Sequence, residues 1–276
     1  MADRVTTPPS PAVSRRSLLR LAAAAAGLAV APRTLGAQDD RAAALATLHR
    51  PLLRVPATTA NGARVPVTVE APQPLEADHG VSVLEVVNPR DPVAAKGVFH
   101  FTPANGRAFV AFQARFDEGP SSVVATARCS RHGHFGATAP LTIAPGAGGC
   151  AGGASAVAAG ADEIRPPVIR IPKLVAEGAV RADELIQVQV KTKHPNRTGL
   201  VVRDGRFVQE SEPFHLRTLE VVYGDEPVSR FVLTAALSDN PLITFLLRVR
   251  REGMIRVTLI NTRGQRFEAE HPIRFA

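Results

Sequence analysis

Short segments of alternating apolar and polar residues recur along most of this 276-residue chain, and they constrain its fold more than any other feature. A period of two places successive side chains on opposite faces of an extended strand, so each segment predicts a strand with one buried face. Turn residues such as Asn61-Gly62 and Asn88-Pro89 separate the segments. Strands of this length and spacing predict an antiparallel sandwich or barrel.

The predicted strands fall into two series with a stretch of different composition between them. Only residues 38–50 predict a short helix, and no long helical stripe interrupts either series. The sequence therefore predicts an all-β fold with two domains. The first series comprises residues 65–70, 81–86, 98–102, 109–116 and 123–128, and the second comprises residues 184–191, 219–223, 231–233, 245–249, 255–260 and 267–270.

The N-terminus has the pattern of an export signal. Arg15-Arg16 precedes an Ala-rich apolar stretch at residues 21–30, which is too short to span a bilayer, since about 20 apolar residues are needed. Paired arginines in this position resemble a twin-arginine signal, and Gly36-Ala37 supplies small residues for cleavage. We expect residues 1–37 to be removed and the protein to be periplasmic, without membrane contact afterwards. The alternative is an amphipathic helix at the start of the mature protein.

The charge of the chain gives no indication of a nucleic-acid partner. The formal net charge is +8, and five Arg with one Asp in residues 1–37 account for four of these charges, which leaves +4 after cleavage. No basic run is interleaved with aromatic residues, as it is in many nucleic-acid-binding surfaces. We expect a mixed, solvated surface.

The stretch between the two series holds a cysteine among small residues. Residues 132–161 contain no Asp, Glu, Lys or Arg, and their centre reads Gly148-Gly149-Cys150-Ala151-Gly152-Gly153. Glycine retains wide backbone freedom, so the sequence predicts a mobile arm that presents a thiol. A plain linker is the alternative, but it leaves the centred cysteine unexplained.

The surroundings of Cys150 in the sequence present a thiol without activating it. No neighbouring cation lowers its pKa, and an ordinary thiol near pKa 8.5 is only a few per cent ionised at neutral pH. Activation is therefore expected from a partner's site. This favours a covalent carrier that acts with separate enzymes over an enzyme in its own right.

Several motifs, in order along the chain, resemble the sulfur-oxidation carrier SoxYZ. The arm is similar to the Gly-Gly-Cys-Gly-Gly arm of SoxY with one Ala inserted, and Val65-Pro66-Val67 and the segment Phe99-His100-Phe101-Thr102-Pro103-Ala104-Asn105-Gly106 also resemble SoxY. The segments His194-Pro195-Asn196-Arg197-Thr198-Gly199 and Asn240-Pro241-Leu242-Ile243-Thr244-Phe245 resemble SoxZ. The resemblance covers roughly residues 50–275.

The resemblance implies two immunoglobulin-like antiparallel β-sandwich domains that pair within the chain. It places a SoxY-like domain at residues 38–143, the arm at 144–165 and a SoxZ-like domain at 166–276. It implies that Cys150 holds thiosulfate-derived sulfur intermediates. The partners implied are a periplasmic c-type cytochrome, a sulfate-releasing hydrolase and, in some organisms, a sulfane dehydrogenase.

The arm differs from that of the family in being tethered at both ends. In a separate SoxY subunit the arm is the free C-terminus, whereas here a second domain follows it. The arm must therefore enter a partner as a hairpin, which is bulkier than a single tail. Fused relatives are associated with quinoprotein dehydrogenases, so such a system is an alternative partner.

A second cysteine, Cys129, gives a competing interpretation. Two cysteines in an oxidising compartment suggest a disulfide, and a Cys129–Cys150 bond would close a loop of about 22 residues, worth about 3 kcal/mol. That bond would make the protein a non-covalent binding or assembly module. Two other interpretations of Cys129 are a buried free cysteine and a reversible disulfide that protects the thiol.

The histidines give weaker indications of a site. Cys129, His132 and His134 lie close in the sequence, but a closed zinc site needs a fourth ligand and the segment supplies none. The sequence therefore favours solvated histidines, with no metal and no cofactor. His194 and His215 are candidate general bases without a nucleophile at a telling spacing, so we expect exposed loop histidines.

Overall fold

The computed structural model describes residues 43–151 and 164–275, so the predicted export signal and arm residues Gly152 and Gly153 lie outside the described residues. A helix, α1, covers residues 43–49 and confirms part of the helix predicted at 38–50. Seventeen strands and a second short helix follow. They are β1 (Leu52–Arg54), β2 (Thr58–Thr59), β3 (Val65–Glu70), β4 (Val81–Val87), β5 (Ala95–Phe101), β6 (Phe109–Ala114), β7 (Gly119–Cys129), β8 (Gly133–Ile143), β9 (Arg165–Arg170), α2 (Pro172–Glu177), β10 (Glu184–Lys193), β11 (Leu200–Arg203), β12 (Arg206–Gln209), β13 (Leu216–Tyr223), β14 (Glu226–Leu233), β15 (Leu242–Val249), β16 (Gly253–Asn261) and β17 (Arg266–Ile273).

The strands form two large sheets and one small hairpin. The six-stranded sheet has the order β1-β3-β6-β15-β10-β9, and the nine-stranded sheet has the order β17-β16-β13-β14-β5-β4-β7-β8-β2. Strands β11 and β12 make the hairpin. All pairings are antiparallel except that of β2 with β8. The all-β sandwich predicted from the alternating segments is confirmed.

Both large sheets run through the two halves of the chain. Strand β14 pairs with β5 over five residues, from Ser229 opposite Phe101 to Leu233 opposite Gly97, and β15 pairs with β6 at Thr244 and Phe245. Backbone hydrogen bonds therefore join the two predicted domains. The described residues, 43–151 and 164–275, belong to one compact unit. The sequence predicted that the two domains pair, but it did not predict that they do so by sharing both sheets.

The core between the sheets is continuous across this junction. Buried alternate residues of most long strands contribute to it, as the period of two predicts, whereas β8 and β17 are buried only towards their ends. The ring of Phe231 in β14 lies 5.2 Å from that of Phe99 in β5 and 5.8 Å from that of Phe245 in β15. These edge-to-face pairs connect both sheets and both halves.

The structure adds strands that the sequence did not predict. The longest is β8, which pairs with all eleven residues of β7. Its sequence contains Gly136, Pro140 and several small residues, so the alternation of apolar and polar side chains that predicts a strand is weak. Pairing with β7 compensates for this. In the described residues, neither helix is long and apolar enough to cross a membrane.

The shared core predicts that the two halves unfold together. We expect Phe231→Ala to lower the free energy of unfolding by about 3–5 kcal/mol in a single transition, because it leaves a cavity at the junction. Urea unfolding followed by far-UV circular dichroism and by Tyr223 fluorescence measures this. The exposed hairpin variant Val202→Ala is the control, with an expected change below about 0.5 kcal/mol. Two separate transitions, only one of them shifted, would contradict a common core.

Candidate functional site

Cys150 lies where the first half of the described chain (residues 43–151) meets the second half (residues 164–275), and this boundary is called the seam below. It follows β8 by seven residues, and its side chain is fully buried. The backbone N–H of Gly149 donates to the carbonyl of Phe116 at 2.8 Å, which ties the segment to the first half. The hydroxyl of Thr198 donates to the carbonyl of Cys150 at 2.7 Å, which ties it to the second half. The backbone around the buried thiol is thus held by both halves.

The glycines before Cys150 allow a close approach of two backbones. The N–H of Gly62 donates to the carbonyl of Ala147 at 2.9 Å. A Cβ on Gly149 would overlap the carbonyl of Gly62, and a Cβ on Gly148 would lie 2.9 Å from a carboxylate oxygen of Asp117. Position 149 therefore requires glycine for space, whereas at position 148 the Asp117 side chain would have to move aside.

Arg115 connects the cysteine segment to the second half. Its buried guanidinium donates to the carbonyl of Gly149 at 3.2 Å and to the carbonyl of Asn196 at 3.1 Å. It also pairs with the carboxylate of Asp239 at 2.7 Å. Asp239 in turn accepts from the backbone N–H of Asn196 at 2.7 Å. The side chain of Arg115, which directly follows β6, therefore binds backbone groups on both sides of the seam.

The charges around the thiol are paired among themselves. The ammonium of the buried Lys96 pairs with Asp91, donates to the carbonyl of Arg115 at 2.8 Å, and lies 4.5 Å from the centre of the Phe116 ring. Burial raises the pKa of the nearby Asp117 carboxyl above its ordinary value. A buried ion pair of this kind contributes little free charge to its surroundings.

Burial raises the pKa of the Cys150 thiol to about 12, and the nearby Lys96 offsets only part of that effect. The docked thiol is then ionised far less at pH 7 than an ordinary thiol. Because the thiolate is the nucleophile, burial makes the docked thiol much less reactive. Its activation requires a change in its surroundings.

This placement differs from the mobile arm that the sequence predicts. Among the described residues of the arm, Gly148, Gly149 and Cys150 pack in the seam or against it. The physical reason is that Gly149 and Gly62 fit together, and that hydrogen bonds from Arg115 and Thr198 fix the backbone. The sequence analysis identified neither of these two side chains as part of the site.

Cys129 lies far from Cys150, and both thiols are free. Cys129 ends β7, whereas Phe116, which contacts the Cys150 segment, precedes the start of that strand. Ten residues of extended strand span about 33 Å. A disulfide needs Cα atoms within about 7 Å, so this pair cannot form one without a large backbone movement. The structure does not support the binding or assembly module with a Cys129–Cys150 bond.

His194 and His215 are not the exposed loop histidines expected from the sequence. His194 is fully buried, and its Nε2 lies 3.2 Å from the side-chain nitrogen of Asn261. Burial lowers the pKa of His194 to about 4. His215 is half-buried, and burial lowers its pKa as well. Burial therefore favours the neutral form of both imidazoles, and neither is an exposed loop histidine.

The SoxY-like motif around Asn105 forms part of the junction. The side-chain amide of Asn105 donates to the hydroxyl of Ser229 at 2.9 Å and to the carbonyl of Leu246 at 2.7 Å. The backbone N–H of Thr102 donates to the carbonyl of Val228 at 3.1 Å. The motif thus holds the two halves together.

Family models match both halves of the chain, with the cysteine at the end of the first match. The model for the sulfur oxidation protein SoxY matches residues 42–150, and the model for the sulphur oxidation protein SoxZ matches residues 175–272. These matches define the class: the protein is a carrier of the sulfur-oxidation system. More particularly, the chain belongs to the SoxYZ family and is a SoxY–SoxZ fusion. No curated protein matched the sequence.

Solved structures give partial likenesses. SoxY from Chlorobium limicola f thiosulfatophilum is 20% identical with a TM-score of 0.29, over 38% of this chain and 94% of that chain. A superoxide reductase variant from Ignicoccus hospitalis is 22% identical with a TM-score of 0.35, over 37% of this chain and 86% of that chain. Fibronectin(III)-like modules of Clostridium thermocellum CbhA are 10% identical with a TM-score of 0.22, over 81% of this chain and 94% of that chain. Likenesses at these TM-scores support no conclusion about function.

The hydrogen bond from Thr198 predicts how readily the thiol reacts. We expect Thr198→Val to speed the alkylation of Cys150 by iodoacetamide about fivefold at pH 8, because one hydrogen bond is worth about 1 kcal/mol to the docked state. Peptide mapping by mass spectrometry gives the rate. The exposed β8 variant Thr138→Val is the matched control. An unchanged rate in Thr198→Val would show that this contact does not limit access to the thiol.

The buried His194 predicts a loss of stability in acid. The unfolded chain binds a proton at its ordinary pKa near 6.5, while the folded protein does so only near 4. Stability is therefore present above pH 6.5 and is lost as the pH falls from 6.5 towards 4. His194→Gln should lower the number of protons taken up on unfolding by up to about one, which reduces the slope of the unfolding free energy against pH. Urea unfolding at several pH values measures this slope. The exposed variant His134→Gln should keep it, and an equal slope in all three proteins would contradict the assignment.

Proposed function

We propose that the protein carries thiosulfate-derived sulfur intermediates covalently on Cys150 and presents them to separate enzymes of the periplasm. The observation that carries this proposal is the position of Cys150, which ends the SoxY match and lies in the seam with the SoxZ-like half. No independent catalytic activity is needed for this role.

Loading joins thiosulfate to the thiol through an oxidation. The Cys150 thiol and thiosulfate form a Cys–S–S–SO₃⁻ conjugate, with release of one proton and two electrons. The proposed acceptor of the electrons is a c-type cytochrome. Hydrolysis by a separate enzyme adds water, releases sulfate and leaves a persulfide on Cys150. A quinoprotein dehydrogenase system is the alternative set of partners.

The docked position serves as a protected state in this proposal. A thiol with a pKa near 12 does not react at neutral pH, so the segment must leave the seam before loading. A few hydrogen bonds of about 1 kcal/mol each hold it there, among them those to Thr198, Phe116 and Arg115. Binding of a partner can supply free energy of that size.

The two tethered ends of the arm affect how it is presented. The thiol then reaches a partner at the tip of a hairpin, and the small residues on either side keep that hairpin narrow. We propose export through the twin-arginine signal, which brings the folded protein to such partners. The small size of Gly148 and Gly149 also suits a segment that enters a narrow channel.

The test is intact-mass spectrometry of the full-length protein recovered from the periplasm without reductant, followed by mapping of the adduct. We expect a reductant-sensitive adduct of thiosulfate or sulfur mass on Cys150. Cys150→Ser should lose it, and Cys129→Ser should keep it. Absence of any adduct under thiosulfate oxidation, or an adduct on Cys129 only, would contradict the proposal.

A further inference from the structure

Four side chains that could ligate a metal meet at one end of the first half, away from Cys150. His49 lies at the end of α1, His79 precedes β4, Cys129 ends β7, and His132 lies in the turn to β8. Their ligand atoms all lie within 4.8 Å of one another. The carrier role of Cys150 uses none of them.

The distances between these atoms fit one tetrahedral ion. The Nε2 of His49 lies 3.1 Å from the Nε2 of His79 and 3.1 Å from the Nδ1 of His132. The latter two atoms are 3.2 Å apart, and the Sγ of Cys129 lies 3.8 Å from the Nδ1 of His132. Metal–ligand bonds of about 2.0 Å to nitrogen and 2.3 Å to sulfur give edges of about 3.3 Å and 3.5 Å in a tetrahedron. The three nitrogens already have this spacing, whereas the Sγ of Cys129, which lies within 4.8 Å of each of them, would move towards the ion on binding.

The hydrogen bonding of His49 places a lone pair at the centre of the group. Its Nδ1 lies 2.7 Å from the carbonyl of Leu45, and because a carbonyl only accepts, Nδ1 carries the proton. The Nε2 of the neutral ring is then unprotonated. This is the arrangement found in metal-binding histidines, whose other nitrogen donates to a carbonyl or carboxylate.

Hydrogen bonds alone do not suit the Nε2 of His49 well. The one lone pair of His49 Nε2 lies in the ring plane and can accept one good hydrogen bond, yet two imidazole nitrogens lie 3.1 Å from it. A cation at the centre of the group would receive a lone pair from each of the three rings. The thiolate of Cys129 would complete four ligands and offset part of the charge.

The surrounding fold holds the ligands in place. The backbone N–H of Ser130 donates to the carbonyl of Gly80 at 3.1 Å, and Arg131 pairs with Asp78, so the loops that carry His79 and His132 are joined. Cys129 lies opposite Val81 in the register of β4 and β7.

The ring of His49 is also fixed by packing. It stacks on Phe135 of β8, with the ring centroids 4.8 Å apart and an angle of 20° between the planes. The imidazole therefore has a defined orientation without a ligand. Sites with ligands fixed in this way lose less conformational entropy on binding.

We propose that His49, His79, Cys129 and His132 bind one transition-metal ion, with Zn²⁺ as the ion that best suits three imidazoles and one thiolate in a closed tetrahedron. Four protein ligands leave no open position, which is typical of a structural site. The ion joins α1 to the β4 and β7 ends of the nine-stranded sheet. His132 is exposed, so the ion can enter from that side. The sequence favoured no metal here because only Cys129, His132 and His134 lie close along the chain. In the structure, His49 and His79 complete a group of four with Cys129 and His132.

The experiment uses the full chain, stripped with a chelator and titrated with Zn²⁺ against a competing dye. We expect one ion per chain and a rise in Tm on binding. His79→Ala and His132→Gln should each weaken binding by about 100-fold or more, since even loss of an outer-shell partner costs 10–100-fold. His134→Ala, which removes a neighbouring exposed histidine outside the group, should bind as the wild type does.

Substitution with Co²⁺ gives a readout that does not depend on stability. A tetrahedral Co²⁺ with a thiolate ligand should show visible ligand-field bands and a near-ultraviolet sulfur charge-transfer band. Cys129→Ser should lose the charge-transfer band, whereas Cys150→Ser should keep it. Absence of stoichiometric binding, or binding that all of these ligand variants leave unchanged, would overturn the proposal. Neither result bears on the carrier role of Cys150.

Discussion

The pairing of β5 with β14 is the interaction on which the rest of the structure depends. It extends one sheet through both halves, and the pairing of β6 with β15 does the same for the other sheet. The phenylalanine cluster then fills a common core. Because the chain leaves β6 at this junction, Arg115 and Phe116 reach both the segment of Cys150 and the second half. A separate pair of subunits would need the same strand pairings at an interface between chains.

The seam sets the chemistry of the thiol through its dielectric and its hydrogen bonds. Cys150 lies beside a lysine and an arginine, both of which would favour a thiolate, but each is already paired with a carboxylate. Desolvation therefore dominates, and the thiol stays protonated. A carrier benefits from this, since a reactive thiol in an oxidising compartment would otherwise be exposed to side reactions.

The sequence predicted what depends on local pattern. Alternation along β3, β4 and β10 identified those strands, because a buried face imposes a period of two wherever the partner lies. The edge strands β1, β2 and β9 were missed, and so was β8, in which small residues and Pro140 weaken that signal. The SoxY- and SoxZ-like motifs were visible as well, although their role in joining the halves through Asn105 was not.

The parts that the sequence did not predict depend on contacts between distant segments. The sequence predicts backbone freedom at Gly149, but glycine is needed there because Gly62 approaches its backbone, a contact set by packing. In the same way, Cys129 and His132 are neighbours in sequence, whereas His79 and His49 lie 53 and 83 residues from His132. Spacing along the chain carries no information about such a group until the strands are paired.

The central claim is that Cys150 is stored in the seam and leaves it without unfolding of the protein. Alkylation of Cys150 at increasing urea concentrations below the unfolding transition tests this directly, with mapping to separate it from Cys129. We predict reaction through a local opening, with a free energy well below that of global unfolding and a weak dependence on urea. A thiol that reacts only with the free energy and urea dependence of global unfolding would contradict the account, and would make Cys150 a residue of the core.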